Sequence, residues 1–212
     1  MIGSALIGAF VFGLFILFTA SFLRSQIGLL LFGVMLGSFV SAIITILELS
    51  SEAQSLKAFA LWSMGSLNGV TIEQLPVIFI VFILGGVASL FILNPLNLLV
   101  LGEEECRLMG YNVKSLRLMI VFITALFTGL ITAFCGPIAF IGLAIPNLTR
   151  MLFKTQDHKL LLIANLLFGA LFLLSCDILI QLLSSWILIP INALTSLIGA
   201  PFVIYILIRK IR

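Results

Sequence analysis

Charged side chains are scarce in this sequence. It has eleven Lys or Arg and eight Asp or Glu among 212 residues, 9% in all, against 62% hydrophobic residues. A soluble domain carries about 25% charged residues, so this chain cannot cover itself with a water-compatible surface. A mean hydropathy of +1.35 is typical of a protein that crosses a membrane several times. We therefore expect an all-α, polytopic membrane helix bundle that forms a single domain over residues 1–212.

Several residue types that functional sites require are also rare or absent. His158 is the only histidine, which excludes a multi-histidine metal site within the chain. Cys106, Cys135 and Cys176 are far apart and match no metal or redox spacing, so we expect them to be packing residues. The sequence has no Lys/Arg-rich run for nucleic acid and no G-x-x-x-x-G-K-[ST] motif for ATP. We predict no catalytic residue, no metal site, no directly bound cofactor and no nucleic-acid partner.

Long apolar segments recur along the whole chain. A span needs about 20 apolar residues, and we predict seven spans, at residues 5–22, 27–47, 76–93, 118–135, 137–153, 160–177 and 191–208. The fifth is the weakest, because it is short, contains Pro146 and takes its start from the Gly136-Pro137 break. Membrane lipid is then the main partner of the outward-facing side chains.

The connections between consecutive spans, numbered in chain order, alternate in how many basic residues they hold. The odd connections and the C-terminal tail hold ten Lys or Arg, whereas the even connections hold one, Lys57. Because cytoplasmic loops are enriched in basic residues, we expect the odd connections and the C-terminus on the cytoplasmic side of a bacterial inner membrane. Seven spans then leave the N-terminus outside, and nothing there explains its export. One explanation is that an odd number of upstream helices is missing.

The third connection carries the most informative local pattern. Asn94-Pro95 is typical of a helix start, with an N-cap followed by proline at the first helical position. Residues 101–110, LGEEECRLMG, place three acids before one cation and end on Gly110. That order predicts a helix of about seven residues and roughly 10 Å, too short to span, that offers Leu108 and Met109 to a partner. An ordinary solvated loop is equally compatible with the pattern.

Glycines and prolines mark positions where helices pack closely or bend. Two glycine pairs, Gly33–Gly37 and Gly65–Gly69, have the G-x-x-x-G spacing of close helix packing. The prolines within predicted spans indicate kinks that neighbouring helices tolerate, with gating hinges as the alternative. Asp177 ends the sixth span, where solvation or helix capping explains it better than a buried functional charge. The candidate hinge residues, for which the family resemblance given below also implies a place along a transport pathway, are Gly33, Gly37, Gly65, Gly136, Pro137, Pro146, Gly199 and Pro201.

Six stretches of the chain match a known set of motifs in order. They are LLFGVMLGS at 30–38, WSMGSLNG at 62–69, PLN at 95–97 with LGEEECRLMG at 101–110, GPIAFIGL at 136–143 with IP at 145–146, DHK at 157–159, and GAPF at 199–202. Together they resemble the FecCD-type permeases, the family that imports iron-siderophores, haem and cobalamin. No single stretch is decisive, but jointly they cover nearly the whole chain and are highly specific.

The resemblance implies a transport complex. Its parts would be ten helices per permease subunit, a homodimer or a pair of permeases, two ABC ATPase subunits that hydrolyse the ATP, and a periplasmic or lipoprotein substrate-binding protein. The seven predicted spans would be the last seven, so the chain would be the C-terminal two-thirds of the family domain, lacking on the order of 110 residues. The resemblance also assigns an ATPase-coupling role to Gly102, Glu103, Glu104, Arg107, Leu108 and Gly110.

The chain departs from the family pattern at four positions. Cys106 and Met109 replace the usual alanine and leucine, and both changes are mild. Gln181 stands where some members carry an arginine that pairs with acidic residues of the binding protein, so docking at Gln181 lacks that ion pair. Asn147 stands where a histidine is common, and no role is carried over to it.

Two other functions were weighed against an importer permease for iron-siderophores or related chelates. An ion-coupled secondary transporter predicts several ionisable groups at mid-membrane and internal repeats, and the sequence shows neither. A truncated, non-transporting remnant shares every motif with the permease. We expect uptake to need an upstream three-helix segment in addition to these 212 residues.

The charge pattern makes a testable prediction about topology. In a cysteine-free background, Ser51→Cys should react with an impermeant thiol reagent added to intact cells, because the second connection lies outside. Ser115→Cys should react only after the cells are opened, because the third connection lies inside. Mass tagging on gels measures both reactions. The opposite labelling pattern would overturn the orientation and the coupling role of the third connection.

Overall fold

A computed structural model describes residues 2–22, 26–184, 186–187 and 189–211. Within these residues the backbone forms nine α-helices and a short 3-10 helix at Ile72–Gln74, with no strand. The all-α expectation is confirmed. The α-helices are α1 (Ile2–Phe22), α2 (Gln26–Leu49), α3 (Ala53–Ser63), α4 (Leu75–Leu99), α5 (Glu103–Leu108), α6 (Val113–Cys135), α7 (Ile141–Phe153), α8 (His158–Leu183) and α9 (Ile191–Ile211).

Each of the seven predicted spans coincides with one helix. Among the described residues, four helical stretches are long and apolar enough to cross a membrane: Leu30–Leu49, Ile72–Leu99, Val113–Cys135 and His158–Leu183. Shorter apolar stretches, Ile7–Ile16, Ile141–Phe153 and Ile191–Ile204, lie in α1, α7 and α9. The 23 residues of α6 extend for about 35 Å, enough for a hydrocarbon layer of about 30 Å.

Helix α6 lies between α1 and α4 and packs against both. Gly13 brings α1 close, since a Cβ there would lie 3.0 Å from the side chain of Val121. Gly85 of α4 similarly leaves room for the ring of Phe127. Helices α7, α8 and α9 pack together, and α8 also contacts α4. The spanning part of α2 has no buried residue within the described chain, so its apolar side chains face outward.

Two groups of contacts mark the opposite ends of the bundle. At one end the last turn of α4 meets the start of α8, where Asn97 contacts His158. At the other end the end of α6 meets the second connection, where the N–H of Ser66 donates to the carbonyl of Cys135 at 2.8 Å. The third and fifth connections therefore share one end and the second and fourth share the other, as the charge pattern predicts. Arg24 and Arg212, which contribute to that pattern, lie outside the described residues.

The predicted helix start at Asn94-Pro95 is wrong. Helix α4 continues through both residues to Leu99, with Pro95 buried inside it. Proline deprives a helix of one backbone hydrogen bond, yet neighbouring groups in a membrane bundle offset that loss. Here the carbonyl oxygen of Pro95 lies 4.0 Å from the Sγ of Cys106 in α5. Tertiary packing against α5 overrides the local signal for a new helix.

Two other predicted span boundaries are also wrong. The fifth span does not begin at Pro137, because residues 136–140 are not helical and α7 starts at Ile141. Its 13 residues reach only about 20 Å, less than the hydrocarbon thickness. The sixth span does not end at Asp177, because α8 continues to Leu183. Asp177 caps no helix end; its Oδ2 accepts a hydrogen bond from Nε2 of Gln181 one turn later, at 2.6 Å.

The second connection contains structure that the sequence analysis missed. Residues 53–63 form α3, which ends at Met64 just before the left-handed turn at Gly65. The 3-10 helix at Ile72–Gln74 then leads directly into α4, and Thr71 and Gln74 form a capping box there. Polar residues interrupt the apolar ones in α3, so it lacks the long apolar run by which a span is recognised.

Gly65 and Gly136 form a junction between the second and fourth connections. Both have φ of 75°, a left-handed conformation that glycine adopts without the penalty of a Cβ. A Cβ on Gly136 would overlap the carbonyl oxygen of Trp62 and lie 3.1 Å from the Cα of Gly65. The predicted break at Gly136-Pro137 is confirmed, and its reason is this close backbone approach.

Asn192 fastens the start of α9 to the same junction. Its backbone N–H donates to the carbonyl of Met64 at 3.3 Å, and its Oδ1 accepts from the N–H of Ala139 at 3.1 Å. Phe140, which has φ of 68°, packs over Gly199 of α9. A Cβ added at Gly199 would lie 2.8 Å from the Cβ of Phe140. The junction thus joins three connections at one end of the bundle.

The junction predicts an unequal response of two glycines to alanine. Gly136→Ala should lower the apparent melting temperature in detergent, because the new Cβ meets Trp62 and because a left-handed residue with a Cβ costs about 1–2 kcal/mol. Gly142→Ala is the matched control, since a Cβ there meets nothing within 4 Å and alanine favours helices. Equal melting temperatures for Gly136→Ala and wild type would contradict the close approach.

Candidate functional site

Helix α5 ends in a Schellman motif, in which two backbone N–H groups beyond the helix bond back to its last turn. The N–H of Gly110 donates to the carbonyl of Arg107 at 2.9 Å, and the N–H of Tyr111 donates to that of Cys106 at 3.1 Å. This pattern requires a left-handed residue at the first position past the cap, and Gly110 has φ of 86°. The predicted short helix with its glycine stop is confirmed, one residue shorter than predicted, at Glu103–Leu108.

The start of α5 is held by electrostatics and by a glycine. Gly102 has φ of 142° and leaves room for the carboxylate of Glu105, which a Cβ on Gly102 would overlap. Glu103 pairs with Arg117 of α6 and, at 3.7 Å, with Arg107 one turn along α5. Both pairs are about half exposed, so each contributes at most about 1 kcal/mol. The pair with Arg117 orients α5 relative to α6, and the pair with Arg107 lies within α5.

Cys106 anchors α5 in the bundle. Its side chain is completely buried and belongs to a core cluster with Ile92 of α4 and with Val113, Leu116 and Ile123 of α6. A buried thiol acts as a small hydrophobic group, so Cys106 serves as the packing residue that the sequence analysis expected.

The opposite face of α5 is exposed and partly apolar. Leu108 is 87% exposed and Met109 68% exposed, and Leu101 just before the helix is 69% exposed. Glu104 and Arg107 are also exposed beside them. A rigidly mounted helix that presents large apolar side chains with mixed charge is suited to protein docking.

Asn97 clamps the end of α4 to the start of α8. Its Nδ2 donates to Oδ1 of Asp157 at 2.8 Å. Its Oδ1 accepts from the backbone N–H of His158 at 2.8 Å and lies 2.6 Å from Nδ1 of the His158 ring. An amide oxygen can only accept, so Nδ1 carries the proton. The motifs PLN and DHK are sixty residues apart in the sequence, and no local signal in either predicts that they bind each other.

Asp157 has two roles in this clamp. It is the N-cap of α8, where Oδ1 accepts from the N–H of Lys159 at 3.1 Å. The hydrogen bond from Asn97, followed by that from Lys159, holds the pKa of Asp157 below its ordinary value. A lowered carboxyl pKa stabilises the fold at neutral pH, and that contribution is lost as the pH falls through the folded-state pKa. The clamp is therefore intact throughout the physiological range.

The structure disperses the other predicted residues. Two of them, Gly65 and Gly136, meet at the junction described above, with Pro137 beside them. Gly65 lies in a turn, so its predicted helix-packing role with Gly69 is wrong. Neither Gly33 nor Gly37 approaches another described residue closely, because α2 lies apart. Helices α7 and α9 continue without a break through the remaining three residues, Pro146, Gly199 and Pro201. The candidate docking residue Gln181 is exposed near the end of α8.

Known proteins share this sequence and this fold. The chain is 35% identical over 213 residues to the hemin transport system permease protein HmuU of Yersinia pestis, covering 98% of this chain and 63% of HmuU. It is 37% identical over 184 residues to the vitamin B12 import system permease protein BtuC of Klebsiella pneumoniae, covering 86% of this chain and 54% of BtuC. It thus spans less than two-thirds of the length of these relatives.

A solved structure matches as well. A metal-chelate type ABC transporter in an inward-facing conformation superimposes with a TM-score of 0.80 at 34% identity, covering 91% of this chain and 62% of that chain. The apolar helix bundle and this match define a polytopic α-helical membrane protein. The chain belongs to the FecCD transport family, because the sequence model of that family matches residues 1–209. The family resemblance is thus confirmed. It is accordingly a multi-pass protein of the inner membrane.

The clamp predicts that Asn97 contributes to stability far more than its neighbour. Asn97→Ala should lower the apparent melting temperature by several degrees, because it leaves three hydrogen-bond partners on Asp157 and His158 without their amide. Asn94→Ala, an exposed position on the same helix, is the matched control and should have little effect. In a double-mutant cycle, Asn97→Ala and Asp157→Ala should be less than additive; strict additivity would show that the clamp does not form.

Proposed function

We propose that this chain is the transmembrane permease part of a bacterial ABC importer for an iron-siderophore or a related chelate such as haem or cobalamin. It forms part of the substrate pathway and couples that pathway to a separate ATPase. The partners proposed are the ABC ATPase subunits, a periplasmic or lipoprotein substrate-binding protein, and a second permease copy or a related permease. The C-terminus and α5 lie on the cytoplasmic side, as the basic connections indicate.

The observation that carries this proposal is the mounting of α5. Its buried face is fixed by Cys106, its start by the pair Glu103–Arg117 and its end by the Gly110 Schellman motif. Its free face presents Leu108 and Met109. A partner that pushes on this face moves α4 and α6 directly, because α5 packs between the end of one and the start of the other.

The substrate class rests on similarity, since the relatives differ in what they carry. Relatives at 35–37% identity include permeases for hemin, vitamin B12 and molybdate. Two of these cargoes are large metal chelates, and the matching solved structure is described as a metal-chelate type transporter. A large chelate is therefore the proposed cargo. ATP hydrolysis is assigned to the partner ATPase, and this chain is proposed to bind no cofactor itself.

Gly110 provides the test of coupling. A Cβ at Gly110 meets nothing within 4 Å, so Gly110→Val changes only the backbone preference, at a cost of about 1 kcal/mol or more. In the complete transporter, Gly110→Val should insert and bind its periplasmic partner normally but lose ATPase association or substrate uptake. Copurification of the ATPase and uptake of labelled chelate measure the two effects.

Two variants serve as controls for this experiment. Gly169→Val also enters open space but lies within α8, so it should leave ATPase association unchanged. Glu103→Ala should have less effect than Gly110→Val, because its ion pairs are half exposed. Full activity of Gly110→Val would show that the third connection is a solvated loop without a coupling role. ATPase association without uptake in the unmutated chain would instead favour a non-transporting remnant.

A further inference from the structure

A cavity of about 350 Å³ lies among α4, α6, α7 and α8. Most of its lining consists of Leu, Ile and Phe side chains from α4, α6 and α8. Five polar residues also line it: Ser89, Thr124, Arg150, His158 and Asn165. It is distinct from the exposed face of α5 and from the junction at Gly65 and Gly136. Its size falls within the range of small-molecule sites.

The cavity is cationic at one end, whereas its deeper lining is uncharged and mostly apolar. Arg150 near the end of α7 and His158 at the start of α8 lie at the basic end of the bundle, beside the Asn97 clamp. Ser89 and Phe127 lie about two helical turns, roughly 10 Å, further toward the middle of α4 and α6. The lining therefore changes from cationic to apolar along the direction in which a membrane lipid changes from headgroup to acyl chain.

Two hydrogen-bond donors in the cavity are unused within the described part of the chain. Arg150 forms neither an ion pair nor a side-chain hydrogen bond there. Asn165 accepts from Oγ1 of the buried Thr149 at 2.6 Å, which leaves its Nδ2 as a free donor. The hydroxyls of Ser89 and Thr124, by contrast, donate to their own helices. An unpaired guanidinium and an amide N–H₂ facing one cavity are complementary to an anionic oxygen group.

We propose that this cavity binds one anionic membrane phospholipid, with the headgroup phosphate at Arg150 and Asn165 and an acyl chain along the apolar walls. Basic pockets between membrane helices near the cytoplasmic surface are suited to such headgroups. The surrounding surface is compatible with lipid, because Phe91 of α4 and Ile163 of α8 are 73% and 61% exposed. The site depends only on membrane insertion, so it stands or falls independently of the import function.

The test measures lipid binding to the chain in detergent micelles by native mass spectrometry during titration with phosphatidylglycerol. Wild type should bind one phosphatidylglycerol in preference to phosphatidylethanolamine. Arg150→Gln should weaken that binding about fivefold or more, the effect of losing one cation near a lipid phosphate. Arg150→Lys should retain most of it. Unchanged binding to Arg150→Gln would overturn the proposal.

Lys154 provides the matched control, because it lies one turn beyond Arg150 and does not line the cavity. Lys154→Gln should bind phosphatidylglycerol as wild type does. An equal loss in Lys154→Gln and Arg150→Gln would show general surface attraction and no site.

Two further measurements test the apolar half of the site. Ser89→Phe leaves Arg150 in place but fills the deep end of the cavity, so it should also weaken phosphatidylglycerol binding. If Arg150→Gln fails to fold, Ser89→Phe serves as the test of the lipid site. Unchanged binding to Ser89→Phe would contradict the acyl-chain position. Glycerol 3-phosphate, which has the phosphate without the chains, should not displace the lipid; displacement would show a site for a free phosphate ester instead.

Discussion

The hydrocarbon interior of a membrane offers the backbone no hydrogen-bond partner, and the breaks in this bundle are built around that constraint. Each interruption is closed by another part of the chain. Ser66 donates to the carbonyl at the end of α6, and Asn192 accepts from Ala139 in the non-helical segment before α7. Glycines at 65 and 136 allow the backbones to approach closely enough for these bonds. The arrangement of α3, α6, α7 and α9 at this end follows from that exchange.

The opposite end of the bundle is organised around a different need, which is rigidity. The third connection is held from three directions: by Cys106 in the core, by Arg117 of α6 through Glu103, and by α8 through Asn97 at the end of α4. Under the coupling role proposed above, a displacement of α5 would reach α4 and α6 together, because α5 contacts both. A rigid-body shift of this kind is one of the common forms of conformational coupling.

The chain also shows how a membrane protein distributes its few polar groups. Asp177 and Gln181 satisfy each other on the surface of α8, and Thr149 is buried against Asn165. Arg150 lines a cavity and has neither an ion pair nor a side-chain hydrogen bond in the described chain. It is the cation at which we place the anionic headgroup of a membrane lipid.

Local signals in the sequence determined the class of the fold, the seven apolar segments, the alternation of basic ends and the short helix that stops at Gly110. These features depend on residues near one another in the chain, so composition, dipole complementarity and glycine preference reveal them. Only the tertiary structure decided that α4 runs on through Pro95, that α7 begins at Ile141, and that Asn97 meets Asp157 and His158. Those outcomes depend on contacts between distant segments, and packing against a neighbour outweighs the local preference of a single proline or asparagine.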